Sequence, residues 1–115
     1  MNRISGIVID CANPAELATF YQKALGGDIS GDDPGFATLS GGPVGLSFQR
    51  VPGYQPPAWP HGTKQVHLDL AVDNLDTAVK ELLALGATRP AEQPGGDDWV
   101  VLRDPEGHLF CVMEG

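Results

Sequence analysis

The stretch "HLDLAVDNLDTAVKELLALGA", residues 67–87, predicts a strand that runs directly into an amphipathic helix. Over residues 66–72, apolar side chains alternate with His67 and Asp69, which is the two-residue period of a strand with one buried face. Over residues 75–85, apolar side chains recur at helical spacing, and a glycine follows the last of them. The stretch therefore places His67 and Asp69 together on the strand face that lies opposite the core.

The first half of the chain predicts the same order of elements. Residues 6–12 alternate as a strand does, and the helical pattern "PAELATFYQKAL" follows at residues 14–25, with a proline at its first position. Short strand candidates separated by Gly, Pro and Asp turns come after each helix. These candidates are residues 27–30, 35–40 and 44–51 in the first half, and residues 87–93, 98–104 and 108–114 in the second.

The repeated order indicates a duplicated unit of strand, helix and three strands. We expect an α+β fold of two βαβββ modules, residues 1–50 and 65–115, within a single domain that spans residues 1–115. A spacing of 61 residues keeps the faces of the two first strands matched, because a slip of one residue would turn every side chain over. With that spacing, Gly6 of the first module corresponds to His67 of the second.

Residues 51–64, "VPGYQPPAWPHGTK", are expected to join the modules as an extended linker, since four prolines exclude a helix. Tyr54 and Trp59 lie on this linker, and a plain linker needs no tryptophan. Two interpretations remain open: the linker closes over a ligand, or it only buries apolar surface.

The composition excludes several classes of function. The chain has no apolar run of the roughly 20 residues that a membrane helix needs, and "MNRISGIVID" lacks the pattern of a signal peptide, so a cytoplasmic location is expected. A formal net charge of −8 argues against binding to nucleic acid. The same charge is consistent with plain solubility or with a field that favours cationic ligands.

The two cysteines, Cys11 and Cys111, both lie inside apolar runs. In a reducing compartment free, buried thiols are expected, although one disulfide between the two would also be compatible with the sequence.

The chain resembles the vicinal oxygen chelate superfamily of glyoxalase I, extradiol dioxygenases and bleomycin-resistance proteins, in its glyoxalase-like branch. The resemblance lies in residues 67–87, in "LRDPEGHLFCV" at 102–112 and in "NPAELATFYQKALGG" at 13–27. It implies two βαβββ modules that form a curled mixed sheet around a shared cavity, with the helices outside. It also implies a homodimer, because small members commonly pair.

In metal-dependent members of this superfamily, the metal ligands come from the first and last strand of each module. Carried over to this sequence, those positions fall on Gly6 and His67, on Cys111, and on Ser47 or Gln49. The resemblance leaves only His67 with its usual ligand type, so no metal and no other cofactor are expected. A catalytic divalent ion needs about three protein ligands and one open coordination position.

Two kinds of function are compatible with the remaining residues. His67 and Cys111 are the candidate catalytic residues, as a base and a nucleophile, although a buried thiol that only fills space is the simpler interpretation of Cys111. A pocket that binds without reaction is the leading interpretation, and Trp99 would either line it or anchor its own strand. The candidate ligand-binding residues are Phe48, Gln49, Tyr54, Trp59, His67, Asp69, Trp99 and Cys111.

The sequence therefore predicts a metal-independent protein that binds a small, aromatic or cationic molecule. Whether it is an enzyme is left open by the sequence, and the alternative is a glyoxalase-like lyase or isomerase that acts on a small oxygenated metabolite. No nucleic-acid or membrane partner is expected.

Overall fold

The computed structural model describes residues 1, 3–31 and 33–115, and these residues fall into two units. The first unit is Met1–Gln55 and the second is Pro56–Gly115. The boundary lies inside the proline-rich segment predicted as a linker, where the absence of backbone donors at the prolines limits pairing with either side.

The first unit has the predicted order of strand, helix and three strands. Its elements are β1 (Gly6–Cys11), α1 (Pro14–Leu25), β2 (Asp28–Ser30), β3 (Phe36–Ser40) and β4 (Gly45–Arg50). The sheet order is β1-β4-β3-β2, with β1 parallel to β4 and the other pairs antiparallel. The parallel pair is joined through the helix and the two remaining strands, because parallel strands need a long crossover connection.

The core of the first unit lies between the sheet and α1. Phe48 of β4 is fully buried, and its ring stacks on Tyr21 of α1 with 5.5 Å between the ring centroids. Phe20 meets Tyr21 edge to face at 5.0 Å. Leu25, the last residue of α1, is about half exposed.

The second unit repeats the first with one strand fewer. Its elements are β5 (Leu68–Val72), α2 (Leu75–Leu85), β6 (Trp99–Arg103) and β7 (Leu109–Glu114), with sheet order β5-β7-β6. β5 is parallel to β7, as β1 is to β4. Asn74 accepts a hydrogen bond from the backbone N–H of Thr77 at 2.9 Å and so caps the start of α2.

The strand predicted at residues 87–93 is wrong, because only an isolated bridge between Thr88 and Arg103 forms there. Two residues further on, Pro90 has no N–H with which to continue the ladder along β6. The side-chain amide of Gln93 takes that place. It accepts from Val101 N at 2.9 Å and donates to Val101 O at 2.8 Å. The second module is therefore βαββ, with a side chain completing its sheet edge.

The α+β class with two helices and two mixed sheets is confirmed. Both cysteines are free and buried, as expected from their apolar surroundings. Within residues 1, 3–31 and 33–115, neither helix has the length and apolar character needed to cross a membrane. The expectation of a single domain over residues 1–115 stays a prediction.

Candidate metal and ligand site

The register of the parallel pair β5–β7 brings together three side chains of the second unit that can ligate a metal ion. Asp69 of β5 lies directly beside Cys111 of β7. His67 precedes Asp69 by two residues, immediately before β5 begins, so its side chain lies on the same face of the chain. Two strands that are 42 positions apart in the sequence thus supply one cluster.

The distances within this cluster are short. The Nε2 atom of His67 lies 3.3 Å from Oδ1 of Asp69. One nitrogen of His67, one carboxylate oxygen of Asp69 and the sulfur of Cys111 all lie within 4.8 Å of one another. These three groups form the one such cluster of three or more candidate metal ligands among the residues that the structure describes.

One member of the cluster is buried, and the other two are partly exposed to solvent. Cys111 is only 4% exposed, and it packs with Val101 and Leu109 in an apolar group. The side chains of His67 and Asp69 are 35% and 58% exposed. The sulfur is therefore fixed by packing, while the other two groups keep one side open to an incoming molecule.

Burial raises the pKa of the Cys111 thiol, and the nearby negative charge of Asp69 raises it further. Lys64 acts in the opposite direction, and a hydrogen bond with the Asp69 carboxylate again raises the pKa. A thiol with a raised pKa stays protonated near neutral pH and is a poor nucleophile. The proposed role of Cys111 as a nucleophile activated by His67 is therefore opposed by its own surroundings.

A pocket of about 410 Å³ opens directly above the cluster. Its lining combines polar groups, from the cluster and Lys64, with apolar side chains. The lining residues are Lys64, His67, Asp69, Pro94, Trp99, Val101, Cys111 and Met113.

Trp99 forms part of the pocket wall rather than part of a closed core. It remains 37% exposed. Its ring lies against the backbone of Gly95, where a Cβ atom would come within 2.4 Å of the indole. Only a glycine at position 95 allows the indole to lie this close to the backbone, and that contact fixes the ring at the pocket edge.

Trp59 is not among the residues that line this pocket. Its indole packs against the apolar group of Val101, Leu109 and Cys111. Its backbone carbonyl accepts a hydrogen bond from the guanidinium of Arg103 at 2.6 Å. Trp59 therefore packs against the body of the second unit, whereas closure of the linker over a ligand stays a prediction.

The remaining candidate residues belong to the first unit. Phe48 lies on the helix side of β4, away from the face that carries Ser47 and Gln49. Gln49 is exposed, and Tyr54 is half-buried. Register also relates the two modules: Ser47 pairs with Val8 as Cys111 pairs with Asp69, so Ser47 rather than Gln49 corresponds to Cys111.

The turn after β6, "DPEGH", has a structural task. The buried carboxylate of Asp104 accepts hydrogen bonds from the backbone N–H groups of Glu106 and His108 at 2.9 and 3.0 Å, and it lies 2.8 Å from Nδ1 of His108. The φ angle of Gly107 is +89°, which a glycine adopts without strain. The carboxylate, in addition to the proline and glycine, therefore holds the turn that positions β7.

Sequence reasoning did not assign Lys64, Pro94, Val101 or Met113 to the site. Met113 could have been found, because it shares a strand face with Cys111. No local signal marks Lys64 and Pro94, since both reach the pocket from irregular segments.

Comparisons with known proteins agree with this architecture. A family model described as "Glyoxalase-like domain" matches residues 6–113. No curated protein matches the chain in sequence. A glyoxalase/bleomycin resistance protein/dioxygenase family enzyme from Burkholderia phytofirmans PsJN superposes with a TM-score of 0.73 at 22% identity, covering 98% of each chain.

Two further solved structures have similar folds. A glyoxalase/bleomycin resistance protein from Albidiferax ferrireducens T118 has a TM-score of 0.66 at 19% identity, covering 97% of this chain and 98% of the other. The fosfomycin resistance protein FosX from Listeria monocytogenes has a TM-score of 0.75 at 14% identity, covering 100% and 91%. That protein was solved in complex with Mn(II) and a dihydroxypropylphosphonic acid.

The expectation that the chain has no metal site is wrong. His67, Asp69 and Cys111 bring three candidate metal-ligand atoms within 4.8 Å of one another. The error came from considering only the positions carried over from the superfamily, among which His67 and Cys111 were possible ligands but Asp69 was not included. Asp69, two residues after His67, supplies a carboxylate from the same strand face.

The cluster fits a divalent ion in its donor types and spacing. Ligand atoms that share a tetrahedral ion at bond lengths of about 2.0–2.3 Å lie roughly 3.3–3.8 Å apart. The separation of 3.3 Å between His67 and Asp69 meets this requirement. The sulfur of Cys111 lies within 4.8 Å of both, so the partly exposed side chains of His67 and Asp69 would move towards it to bind an ion.

Proposed function

The chain belongs to the glyoxalase-like domain family, and on that premise we propose that it is a metal-dependent protein that binds a small oxygenated molecule and acts on it as a lyase or isomerase. The observation that carries the proposal is the cluster of His67, Asp69 and Cys111 at the base of a pocket of about 410 Å³.

The donor set favours zinc over manganese. Thiolate is a soft ligand and selects zinc or similar ions, whereas manganese and magnesium prefer oxygen ligands. Cys111 would supply sulfur, His67 nitrogen and Asp69 oxygen, a combination within the range of zinc sites. The ion in the Listeria protein is therefore not carried over to this chain.

Three protein ligands with an open side are typical of a catalytic site, whereas structural zinc sites are closed by four protein ligands. The exposed rim formed by His67 and Asp69 faces the pocket and leaves room for a substrate oxygen. A bound divalent ion would act there as a Lewis acid that polarises this oxygen.

The chain's own residues would hold the substrate in place. The buried group of Val101, Leu109 and Cys111 keeps water away from the sulfur side of the site. Trp99 and Met113 provide apolar surface for the rest of the substrate. This division into a polar end and an apolar wall is the common pattern of small-molecule sites.

The experiment is a measurement of metal per chain. The full chain is loaded with Zn²⁺, dialysed and analysed by plasma mass spectrometry, together with the variants His67→Ala, Asp69→Asn and Cys111→Ser. We expect about one zinc per wild-type chain, and a loss of zinc affinity of at least about tenfold in each variant.

Matched controls separate this effect from general damage. Cys11→Ser changes the other buried cysteine, and His61→Ala changes an exposed histidine outside the cluster. Both should keep one zinc per chain. A wild-type chain that retains no zinc, or variants that retain it as well as the controls do, would overturn the proposal.

We also propose that the chain forms a homodimer, following the pairing that is common in the superfamily. Light scattering should give a mass of about twice 12.1 kDa. A mass of a single chain at micromolar concentration would contradict this part of the proposal.

A further inference from the structure

Lys64 is placed at the pocket by an aromatic support. Its Nζ atom lies 4.6 Å from the centroid of the Trp59 ring, and its side chain lines the same pocket as Asp69 and Cys111. We propose that this pocket selects small organic anions with a flat apolar body, and that Lys64 is the residue that recognises the negative charge. The inference rests on the proposed function, because it names the substrate class of the same site.

The position of Lys64 is held by a chain of contacts. Arg103 of β6 donates to the carbonyl of Trp59 at 2.6 Å, and the indole packs on the apolar group that contains Cys111. A cation over an indole face is stabilised by the ring electrons. The ammonium group is thereby held close to the cluster, and less freedom is lost when an anion binds.

The basic group of the pocket favours an anion. Lys64 is the only lysine or arginine among the described residues that line the pocket, and a bound divalent ion would add positive charge beside it. A cationic ligand, which the net charge of the whole chain suggested, would be repelled here despite the acidic surface.

The apolar wall defines the rest of the ligand. The indole of Trp99 is fixed against Gly95 and borders the pocket together with Pro94 and Met113. Flat rings bury much area against such a surface at little cost in conformational freedom. A carboxylate or phosphonate attached to a flat body would therefore contact the metal and Lys64 at one end and Trp99 at the other.

The test uses naphthoate and naphthamide, which are nearly identical in shape and differ in charge. Binding to the zinc-loaded full chain is measured by calorimetry for the wild type, for Lys64→Met and for Lys80→Met. Lys80 is an exposed lysine of α2 that does not line this pocket, so its substitution makes the same change in net charge elsewhere.

We expect Lys64→Met to bind naphthoate about tenfold more weakly than the wild type does, with naphthamide affected less than about twofold, because only the anion loses a charge-assisted contact. Lys80→Met should match the wild type for both probes. Acetate, which lacks the flat body, should bind at least about tenfold more weakly than naphthoate.

The inference and the proposed function fail in different ways. If the wild type retains zinc but Lys64→Met binds naphthoate as well as Lys80→Met does, the recognition by Lys64 is refuted and the metal site stands. If naphthamide or acetate binds as tightly as naphthoate, the substrate class is refuted. Naphthoate binding to the wild type is also measured after treatment with a chelator: weaker binding without zinc supports contact of the anion with the ion, and unchanged binding refutes that contact.

Discussion

Replacing Gln93 should destabilise the second unit far more than its half-buried position suggests. The amide of this residue makes three hydrogen bonds: Nε2 donates to Pro90 O at 3.0 Å and to Val101 O at 2.8 Å, and Oε1 accepts from Val101 N at 2.9 Å. It thus takes the place of a neighbouring strand where the chain has a proline.

The magnitude follows from the burial of Val101, which is 1% exposed. Water cannot readily replace the lost partner of its N–H and C=O groups, and each buried group left unsatisfied costs about 1–3 kcal/mol. We therefore expect Gln93→Met, which keeps the side-chain volume, to lower the free energy of unfolding by about 2–4 kcal/mol. That corresponds to a fall in Tm on the order of 10 °C.

The assay is urea denaturation followed by tryptophan fluorescence, with Gln55→Ala as a control at an exposed glutamine. Gln93→Glu should also destabilise, because a carboxylate can accept from Val101 but cannot donate to it. If Gln93→Met changes the free energy of unfolding by less than about 0.5 kcal/mol, the side chain does not complete the sheet edge and the reasoning fails.

Three further predictions concern the site and the turn that supports it. Gly95→Ala should displace the Trp99 indole, because the new Cβ would lie 2.4 Å from it. We expect altered tryptophan fluorescence and at least about tenfold weaker binding of naphthoate. Asp104→Ala should cost about 2–4 kcal/mol in urea denaturation, since it leaves two backbone N–H groups and His108 without their buried acceptor; a loss below about 0.5 kcal/mol would show that the turn holds without it. Zinc affinity should rise between pH 7 and pH 8, because the pKa of Cys111 is raised and the thiol must lose its proton before the sulfur binds the ion. If the zinc affinity of Cys111→Ser rises equally with pH, the thiol is not the cause of the pH dependence.

The fold followed from patterns that are local in the sequence. The helix at Pro14–Leu25 and the helix at Leu75–Leu85 have the bounds that periodicity, the proline and the glycines predicted. The strand predicted at residues 87–93 could not be corrected from the sequence, because the partner that replaces it is a side chain. Nothing in a propensity pattern shows that Gln93 will pair with the backbone of Val101.

The sequence predicted some residues of the candidate site but not the contacts that bring them together. Alternation along β5 placed His67 and Asp69 on one face, and the superfamily pattern pointed to Cys111. The sequence could not show that a carboxylate two residues from a histidine would lie beside a cysteine from a distant strand, since that depends on register. The position of Lys64 depends in turn on the packing of Trp59, which is a tertiary contact.

The most direct test of the metal site is X-ray absorption at the zinc edge of the loaded chain. The proposed cluster predicts one sulfur neighbour at about 2.3 Å, from Cys111, with nitrogen and oxygen neighbours at about 2.0–2.2 Å. A spectrum without sulfur, showing zinc surrounded only by oxygen and nitrogen, would contradict the assignment of His67, Asp69 and Cys111 as one metal centre.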